Sequence, residues 1–444
     1  MKKIGGIFLM AVLVALISSM LSTAAFASQY DSVAQELKTI GLFQGTDTGF
    51  DLDRAPTRTE AAVILVRLLG AESKAKAQYA AGTISHPFTD VPQWANPYIA
   101  WLYSNGLTKG LSDTSYGATG QCSAKMFCTF VLRALGYSDA ADGDFTFDNS
   151  VDYAEYIGIF ASVWEDDVFL RDHAVAVSYE ALGTYMSEGD KTLLEKLISD
   201  GSVSRENAAA LLLKVQYYNE YLYGYSSWYN EPSVSMTVNE KKTFSSTELK
   251  TSIQLERKLI SKYINNSDYT AIESIRTTSD GDNVYSVSYW LKNGVVYYKE
   301  GSMKVKANVD DSDIEEMLYE EYYLTEPPLY AMGEIKSITC TPTAYGKEYN
   351  ITLSSIEPNL DSIQSDFEGL TVTDVTVNSS SIKIGVNTLG ELKTVDISVN
   401  YTLTGTYEGQ VVHFNCVYTY NSTVNATGDA VSIIYPDFSD YIMQ

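Results

Sequence analysis

Histidine, cysteine and positive charge are all scarce in this chain. Its 444 residues include three His and four Cys, with 31 Lys and Arg against 56 Asp and Glu, for a formal charge of −25. That balance excludes nucleic acid as a partner class, because affinity there rests on Lys and Arg neutralising phosphates. Four cysteines are too few for a disulfide framework. Cys122 and Cys128 fall on different faces of one helix, while Cys340 and Cys416 both sit in strand-like sequence and could pair. His86, His173 and His413 have no metal-ligand spacing with a partner, and no His-Glu-x-x-His occurs. A Gly-x-Ser-x-Gly elbow, a phosphate loop and a dinucleotide fingerprint are missing too. Pairs such as Asp310-Asp311 and Glu315-Glu316 carry no information in a chain this acidic and read as solvated faces. No catalytic constellation, cofactor site or metal site emerges, and the chain reads as a non-enzyme.

Long apolar runs are absent beyond the first residues, so no later stretch can span a bilayer. The exception is Ile7 to Leu21, which follows Lys2-Lys3 and precedes Ala25-Phe26-Ala27. A charged start, an apolar run and a small-x-small cleavage site make residues 1–27 a secretory signal peptide. The first cysteine is Cys122, which argues against a lipid anchor, and no C-terminal sorting signal is evident. A protein of this kind that stays on the cell is held there non-covalently. Losing Lys2 and Lys3 takes the charge from −25 to −27. Attraction to an anionic ligand must then be local, within a Debye length of about 8 Å.

What is present is a repeat. Arg67-Leu68-Leu69-Gly70 lines up with Arg133-Ala134-Leu135-Gly136 and with Glu180-Ala181-Leu182-Gly183. Nine positions before Arg67, Arg133 and Glu180 stand Arg58, Ala124 and Arg171. Three helices with a common start and end imply three copies of one unit. In the first, Thr57-Arg58-Thr59-Glu60 reads as a capping box, the Thr57 hydroxyl and the Glu60 carboxylate exchanging bonds with first-turn N–H groups. Arg58 gains nothing from the positive end of the helix dipole. It is left to reach an anion beside the exposed N–H groups, or to pair with a neighbouring acid. For Arg171 the alternative is an ion pair with Asp166, Asp167 or Asp172.

The second copy is the most complete: Phe88-Thr89-Asp90-Val91-Pro92, Trp94-Ala95, Ile99, Leu102 and Tyr103, then Asn105-Gly106-Leu107-Thr108-Lys109-Gly110. This closely resembles the S-layer homology domain, whose pattern is Phe-x-Asp-Val, Trp-Ala, an apolar helix, Gly-Ile/Leu-x-x-Gly, then Thr-Arg-x-Glu opening a second helix. The resemblance covers about 28–200, as repeats at 28–71, 88–137 and 145–200. The first repeat lacks the Phe-x-Asp-Val opening. In the second, Ser123-Ala124-Lys125-Met126 replaces Thr-Arg-x-Glu. The third opens at Phe145-Thr146-Phe147-Asp148 and has Phe169-Leu170-Arg171-Asp172. The resemblance implies an all-α pseudo-threefold bundle with grooves, binding secondary cell-wall polysaccharide that often carries pyruvylated sugars. It implies that Arg58 and Arg171 face the ligand carboxylate, which an Arg fork can hold bidentately, with Thr57 and Glu60 beside them. Trp94 would form a groove wall, or be a core residue. The Arg lost at Ala124 leaves the middle groove in question.

Composition shifts at Gln216. Tyr217, Tyr218, Tyr221, Tyr223, Tyr225 and Tyr229 read as a Tyr-rich linker over 216–240, whose rings pack on a domain flank or form a sugar-binding patch. The remainder, 241–444, reads as α+β. A helix is expected over Ser245 to Ile264. Strands follow at Tyr285 to Tyr289 and Val295 to Tyr298, around an Asn293-Gly294 hairpin turn. A helix is expected from Asp310 to Glu321. Further strands are expected at Val372 to Val377, Ile382 to Val386, Val395 to Leu403 and Val411 to Tyr420, with a last one at Ala430 to Ile433. Trp290 to Tyr298, Gly301 to Lys306 and Tyr435 to Tyr441 resemble the lipoprotein-carrier-like half-barrels of Gram-positive secreted proteins. That implies a long leading helix and a curved antiparallel sheet able to hold an acyl chain, although fold alone does not give function.

The expectation is therefore a secreted, multidomain surface protein of a Gram-positive wall. S-layer homology repeats hold it non-covalently, and a non-catalytic β-rich domain binds a hydrophobic ligand or a protein partner. The alternative is an anchored enzyme acting on wall glycan or extracellular polysaccharide through an unrecognised second half.

Overall fold

The computed structural model describes residues 30–45, 49–159, 168–266, 269–281, 283–354 and 370–443. The leader lies outside them. Of the described residues, one compact unit comprises those from 30 to 219 with 330–336, and the other those from 220 to 329 and from 337 to 443.

The first unit is helical: α1 (Asp31–Thr39), α2 (Arg58–Leu68), α3 (Glu72–Ala80), α4 (Asn96–Ser104), α5 (Ala124–Ala134), α6 (Ser150–Tyr156), α7 (Arg171–Gly183), α8 (Leu193–Ser199) and the start of α9 (Ala209–Tyr229). Helices α2, α5 and α7 each pack against the other two. Helix α7 is buried along its whole length, and most of α2 is too. Such all-round burial follows from their lack of a polar face. Each of the three carries an outer helix that precedes an inner one: α4 on α2, α6 on α5 and α1 on α7, which also packs against α8. Helices α1, α4 and α6 thus each pack on an inner helix other than the one that follows them in sequence.

The second unit is built on a 12-stranded sheet. Its strands are β1 (Ser233–Ser246), β2 (Thr251–Asn265), β3 (Thr270–Ser279), β4 (Val284–Lys292), β5 (Val295–Glu300), β6 (Met303–Asn308), β7 (Ile335–Thr343), β8 (Gly346–Leu353), β9 (Leu370–Asn387), β10 (Leu392–Tyr407), β11 (Gln410–Thr427) and β12 (Ile442–Met443). They lie in the order β12-β6-β5-β4-β3-β2-β1-β11-β10-β9-β8-β7. Helix α10 (Asp311–Thr325), capped by Asp310, packs on β1, β2 and β3. The β4–β5 turn uses Asn293 and Gly294 at φ 54° and 72°, the left-handed pair that matches strand twist. With helices in the first half and a large antiparallel sheet in the second, the chain is multidomain α+β.

Several expectations are corrected. Ser245 to Ile264 is not a helix but the end of β1, a turn at Lys250 (φ 51°) and most of β2. Its inward residues are Arg257, Leu259, Ser261 and Tyr263, a period of two that two polar members disguise. They are tolerated inside because Arg257 meets Glu240 at 2.6 Å and Ser261 donates to Glu321. The long helix that leads the strands is instead α9, which ends at Tyr229 just before β1. The Tyr-rich stretch is helical to Tyr229 and strand from Ser233, and Trp228 stacks on Tyr322 at 5.0 Å. Val372 to Val377 and Ile382 to Val386 belong to one strand, β9, while Ala430 to Ile433 forms none. Cys340 and Cys416 are free thiols. They sit on β7 and β11, with three strands between them. That puts them roughly 19 Å apart at ordinary strand spacing, far beyond disulfide reach.

Candidate functional site

Arg58, Ala124 and Arg171 are each the first residue of their helix, α2, α5 and α7. At α2 the capping box is complete. The Glu60 N–H donates to Thr57 Oγ1 at 3.2 Å, and the Thr57 N–H donates to Glu60 Oε2 at 2.8 Å. Glu60 also takes both arms of Arg54, at 2.7 and 3.0 Å. Burial alone would raise the Glu60 carboxyl. The Arg54 and Thr57 hydrogen bonds outweigh it, helped by the charges of Arg54 and Arg171, and hold it at about 2. Thr57 and Glu60 thus start the helix and anchor Arg54.

Arg58 is only 8% exposed. Its Cζ lies 4.9 Å from the Tyr116 ring centroid and 5.5 Å from that of Phe130, within cation–π range of both. Its Nε is shut away without a hydrogen-bond partner, and among the described residues no carboxylate pairs with it. A buried charged donor left in this state costs on the order of 1–3 kcal/mol. The ion-pair alternative for Arg58 is not what the structure holds.

The Phe-x-Asp-Val stretch builds the wall of this site. The Asp90 carboxylate accepts the N–H groups of Tyr116, Gly117 and Ala118 at 2.7, 2.7 and 3.2 Å, and the Ser115 hydroxyl at 3.1 Å. Burial works against the ionised form, but these bonds win and bring Asp90 to about 2. Phe88 packs so closely under Gly110 that a Cβ there would lie 2.3 Å from its ring. Gly117 has φ +76°, and a Cβ on it would meet Leu111 at 2.4 Å. The turn is tied to α2 by Arg58 N–H to Gly120 O at 2.8 Å and by the Thr59 hydroxyl to Ala118 O at 2.8 Å.

Arg171, 4% exposed, is held differently. Its Nε donates to Phe50 O at 3.1 Å, and its Cζ lies 5.6 Å from the Phe43 ring. Burial lowers its pKa. The Glu60 and Asp51 charges oppose that, and Arg54 and Arg67 add to it. Of the expected partners, Asp166 and Asp167 lie outside the described residues. Asp172 instead accepts the His173 N–H at 2.7 Å. His173 Nδ1 in turn accepts the Leu170 N–H at 3.1 Å and so serves the helix start. At Ala124, Ser123 caps α5 through Met126 N–H at 3.3 Å, and the neighbouring Lys125 stands 3.8 Å from Asp148. Trp94, on the short 3-10 turn Gln93–Ala95, is 58% exposed and is no core residue.

The sequence missed Tyr116, Phe130, Phe43, Phe50 and Arg54. A signal exists for two of them. Gly41-Leu42-x-x-Gly45 and Gly106-Leu107-x-x-Gly110 are each followed by an aromatic, Phe50 or Tyr116, near the next helix start. Among the described residues no cluster of His, Cys, Asp and Glu is placed to hold a metal ion. None of their helices is long and apolar enough to cross a membrane.

Residues 87–123, which carry Asp90, Trp94 and Tyr116, match the S-layer homology domain family. The chain is 30% identical over 117 residues to the middle cell wall protein of Brevibacillus brevis, covering 26% of this chain and 11% of that protein. It is 31% identical over 113 residues to a cell surface protein of Thermoanaerobacter kivui, covering 25% and 14%. With a surface layer protein of Brevibacillus choshinensis the identity is 30% over 117 residues, covering 26% and 10%. The chain thus spans only a small part of the length of these curated relatives. Among solved structures, LprF from Mycobacterium bovis aligns at TM-score 0.24 and 11% identity, covering 49% of this chain and 96% of that one. The ywiB protein from Bacillus subtilis aligns at 0.15 and 9%, covering 46% and 100%. The opening motif, the turn it builds and the family match converge on one statement: residues 87–123 of this chain match the S-layer homology domain family.

Proposed function

We propose that the chain is a secreted cell-surface protein whose helical unit holds it non-covalently to the wall by binding an anionic secondary cell-wall polysaccharide. On this reading α2, α5 and α7 are the inner helices of three S-layer homology repeats, and the polymer is met at the helix starts that Arg58 and Arg171 mark, with Arg58 as the contact and Arg171 as a candidate that the double variant includes. The observation that carries it is a buried guanidinium at the start of α2, stacked on two rings with Nε lacking a hydrogen-bond partner. A pyruvylated sugar, with one planar carboxylate, suits an Arg fork. One such contact contributes roughly 1.5–3 kcal/mol, and micromolar binding needs about 8 kcal/mol. Sugar packing, for which exposed Trp94 is available, must supply the rest. The strand-rich unit is then a displayed domain that binds a hydrophobic ligand or a protein partner without catalysis.

The test is a pull-down of the full secreted chain on purified sacculi, before and after the secondary polysaccharide is stripped. Wild type is expected to bind only intact sacculi. The double variant Arg58→Ala/Arg171→Ala is expected in the supernatant. Equal retention on stripped sacculi sinks the proposal.

A further inference from the structure

We infer that the two arginines are not equivalent: the wall anion is held at Arg58, Asp90 builds that site, and Arg171 belongs to the framework. This deepens the wall-binding reading and rests on it.

Three differences carry the inference. The first is hydrogen bonding. Arg58 Nε has no hydrogen-bond partner, whereas Arg171 Nε is satisfied by the Phe50 carbonyl at 3.1 Å. The second is charge. Arg58 has no ion-pair partner among the described residues, whereas Arg171 lies in a mixed field, Glu60 and Asp51 against Arg54 and Arg67. Glu60, held by Arg54, stays ionised at physiological pH, so a ligand carboxylate approaching Arg171 meets a carboxylate already in place. In a chain of charge −25, attraction is set by such local balances rather than by the whole surface. The third is the cradle. Two rings, Tyr116 and Phe130, lie within 6 Å of Arg58, and they replace water with an apolar wall that suits a sugar face. Arg171 has one, Phe43.

Asp90 is a positioning residue. Its carboxylate takes four donors from Ser115 to Ala118 and so fixes the turn that carries Tyr116. The most recognisable letter of the sequence pattern therefore acts through the ring beneath Arg58. At the middle helix, Ala124 offers no counterpart, leaving one anion site among the three helix starts.

Calorimetric titration of the full chain with purified secondary wall polysaccharide tests this. The polymer is used native and after mild acid has removed its pyruvate ketals, at two salt concentrations, with the melting midpoint of every variant recorded. Arg58→Ala should weaken binding about tenfold or more and flatten its salt dependence. Arg58→Lys should recover part of the affinity, keeping the charge but losing the fork. Arg171→Ala and Arg171→Lys should lower the melting midpoint while leaving affinity within about threefold and the salt slope unchanged. Asp90→Asn should weaken binding with the salt slope retained. Equal losses at Arg58 and Arg171 overturn the inequivalence and leave wall binding intact. Undiminished binding to the ketal-free polymer overturns the anion assignment. No binding by wild type overturns both readings.

Discussion

Glu180 and Gly333 stand 153 positions apart and meet in one hydrogen bond, the Gly333 N–H donating to Glu180 Oε1 at 2.6 Å. The Met332 N–H takes the other oxygen at 3.1 Å, and the Glu334 carboxylate accepts Ala331 N–H at 2.8 Å. Residues 330–336 thereby join the helical unit, burying Tyr330, Met332 and Ile335. At the matching positions of the other inner helices, Arg67 and Arg133 pair with Glu72 and Asp139. The third helix has exchanged that cation for a carboxyl group, and a distant strap supplies its donors.

That exchange predicts a pH dependence. Burial lifts the Glu180 carboxyl to about 8, against the two N–H bonds and the Lys214 charge, with Glu334 adding to the rise. The folded state thus holds a proton that the unfolded chain releases at its ordinary value, so stability falls as pH rises from about 4.5 through about 8. Melting of the full chain should show the helical unit losing midpoint across that window. Glu180→Gln should flatten the slope, and an unchanged slope defeats the assignment. Tyr179, Lys214, Glu36 and Glu334 face the same interior and are held constant in the comparison.

The strap itself should matter for stability. Met332 is fully buried, and a Cβ on Gly183 would lie 3.2 Å from its sulfur. Met332→Ala should cost about 2–4 kcal/mol, as a core truncation does. Chemical denaturation read on the helical unit checks this. A loss under 1 kcal/mol would mean the strap is ornamental.

At the acid end the sign reverses. Glu60, Glu72 and Asp90 are all held at about 2, so what they contribute is present above their ordinary values and is lost as pH falls towards 2. Helical circular dichroism should decay between about pH 4 and pH 2. Thr57→Ala should shift that decay upward and cost about 1 kcal/mol through the lost cap.

The sheet unit has its own polar anchor. Arg276 reaches Glu321 at 2.7 Å and Glu320 at 2.8 Å, and Glu321 also accepts from Tyr289 and Ser261. Arg276→Met should cost roughly 3–5 kcal/mol because it strands a buried carboxylate. Arg276→Met with Glu321→Leu should cost much less than the two single changes added. Additive losses in urea denaturation would rule out coupling.

Sequence reading succeeded where chemistry is local. The Thr57–Glu60 box and the Asn293-Gly294 turn are each decided within four residues and are where expected, and the helix expected from Asp310 starts one residue on, with Asp310 as its cap. It failed where partners are remote. Arg257 and Ser261 broke the apolar alternation of β2 because their partners, Glu240 and Glu321, lie on other elements. The Tyr-rich stretch gave no helical signal because its rings are sorted by Tyr322 and Glu326, about a hundred positions away. At the site, Arg58 was legible from its matched position. The rings beneath it were not, since nothing in Tyr116 or Phe130 alone marks them as neighbours of residue 58.

Strand order carries a last consequence, for the time course of folding. Strands β1 to β6 follow one another across the sheet, as β7 to β11 do, and the two runs meet only where β1 pairs with β11. Val234 faces Thr427, so the central seam joins residues that leave the ribosome, and any export channel, far apart in time. Until β11 emerges, one long edge of β1 is an open template for other chains. Closing so large a loop is slow. Chaperone demand during synthesis should therefore track how soon the last strands appear, more than how stable the finished sheet is.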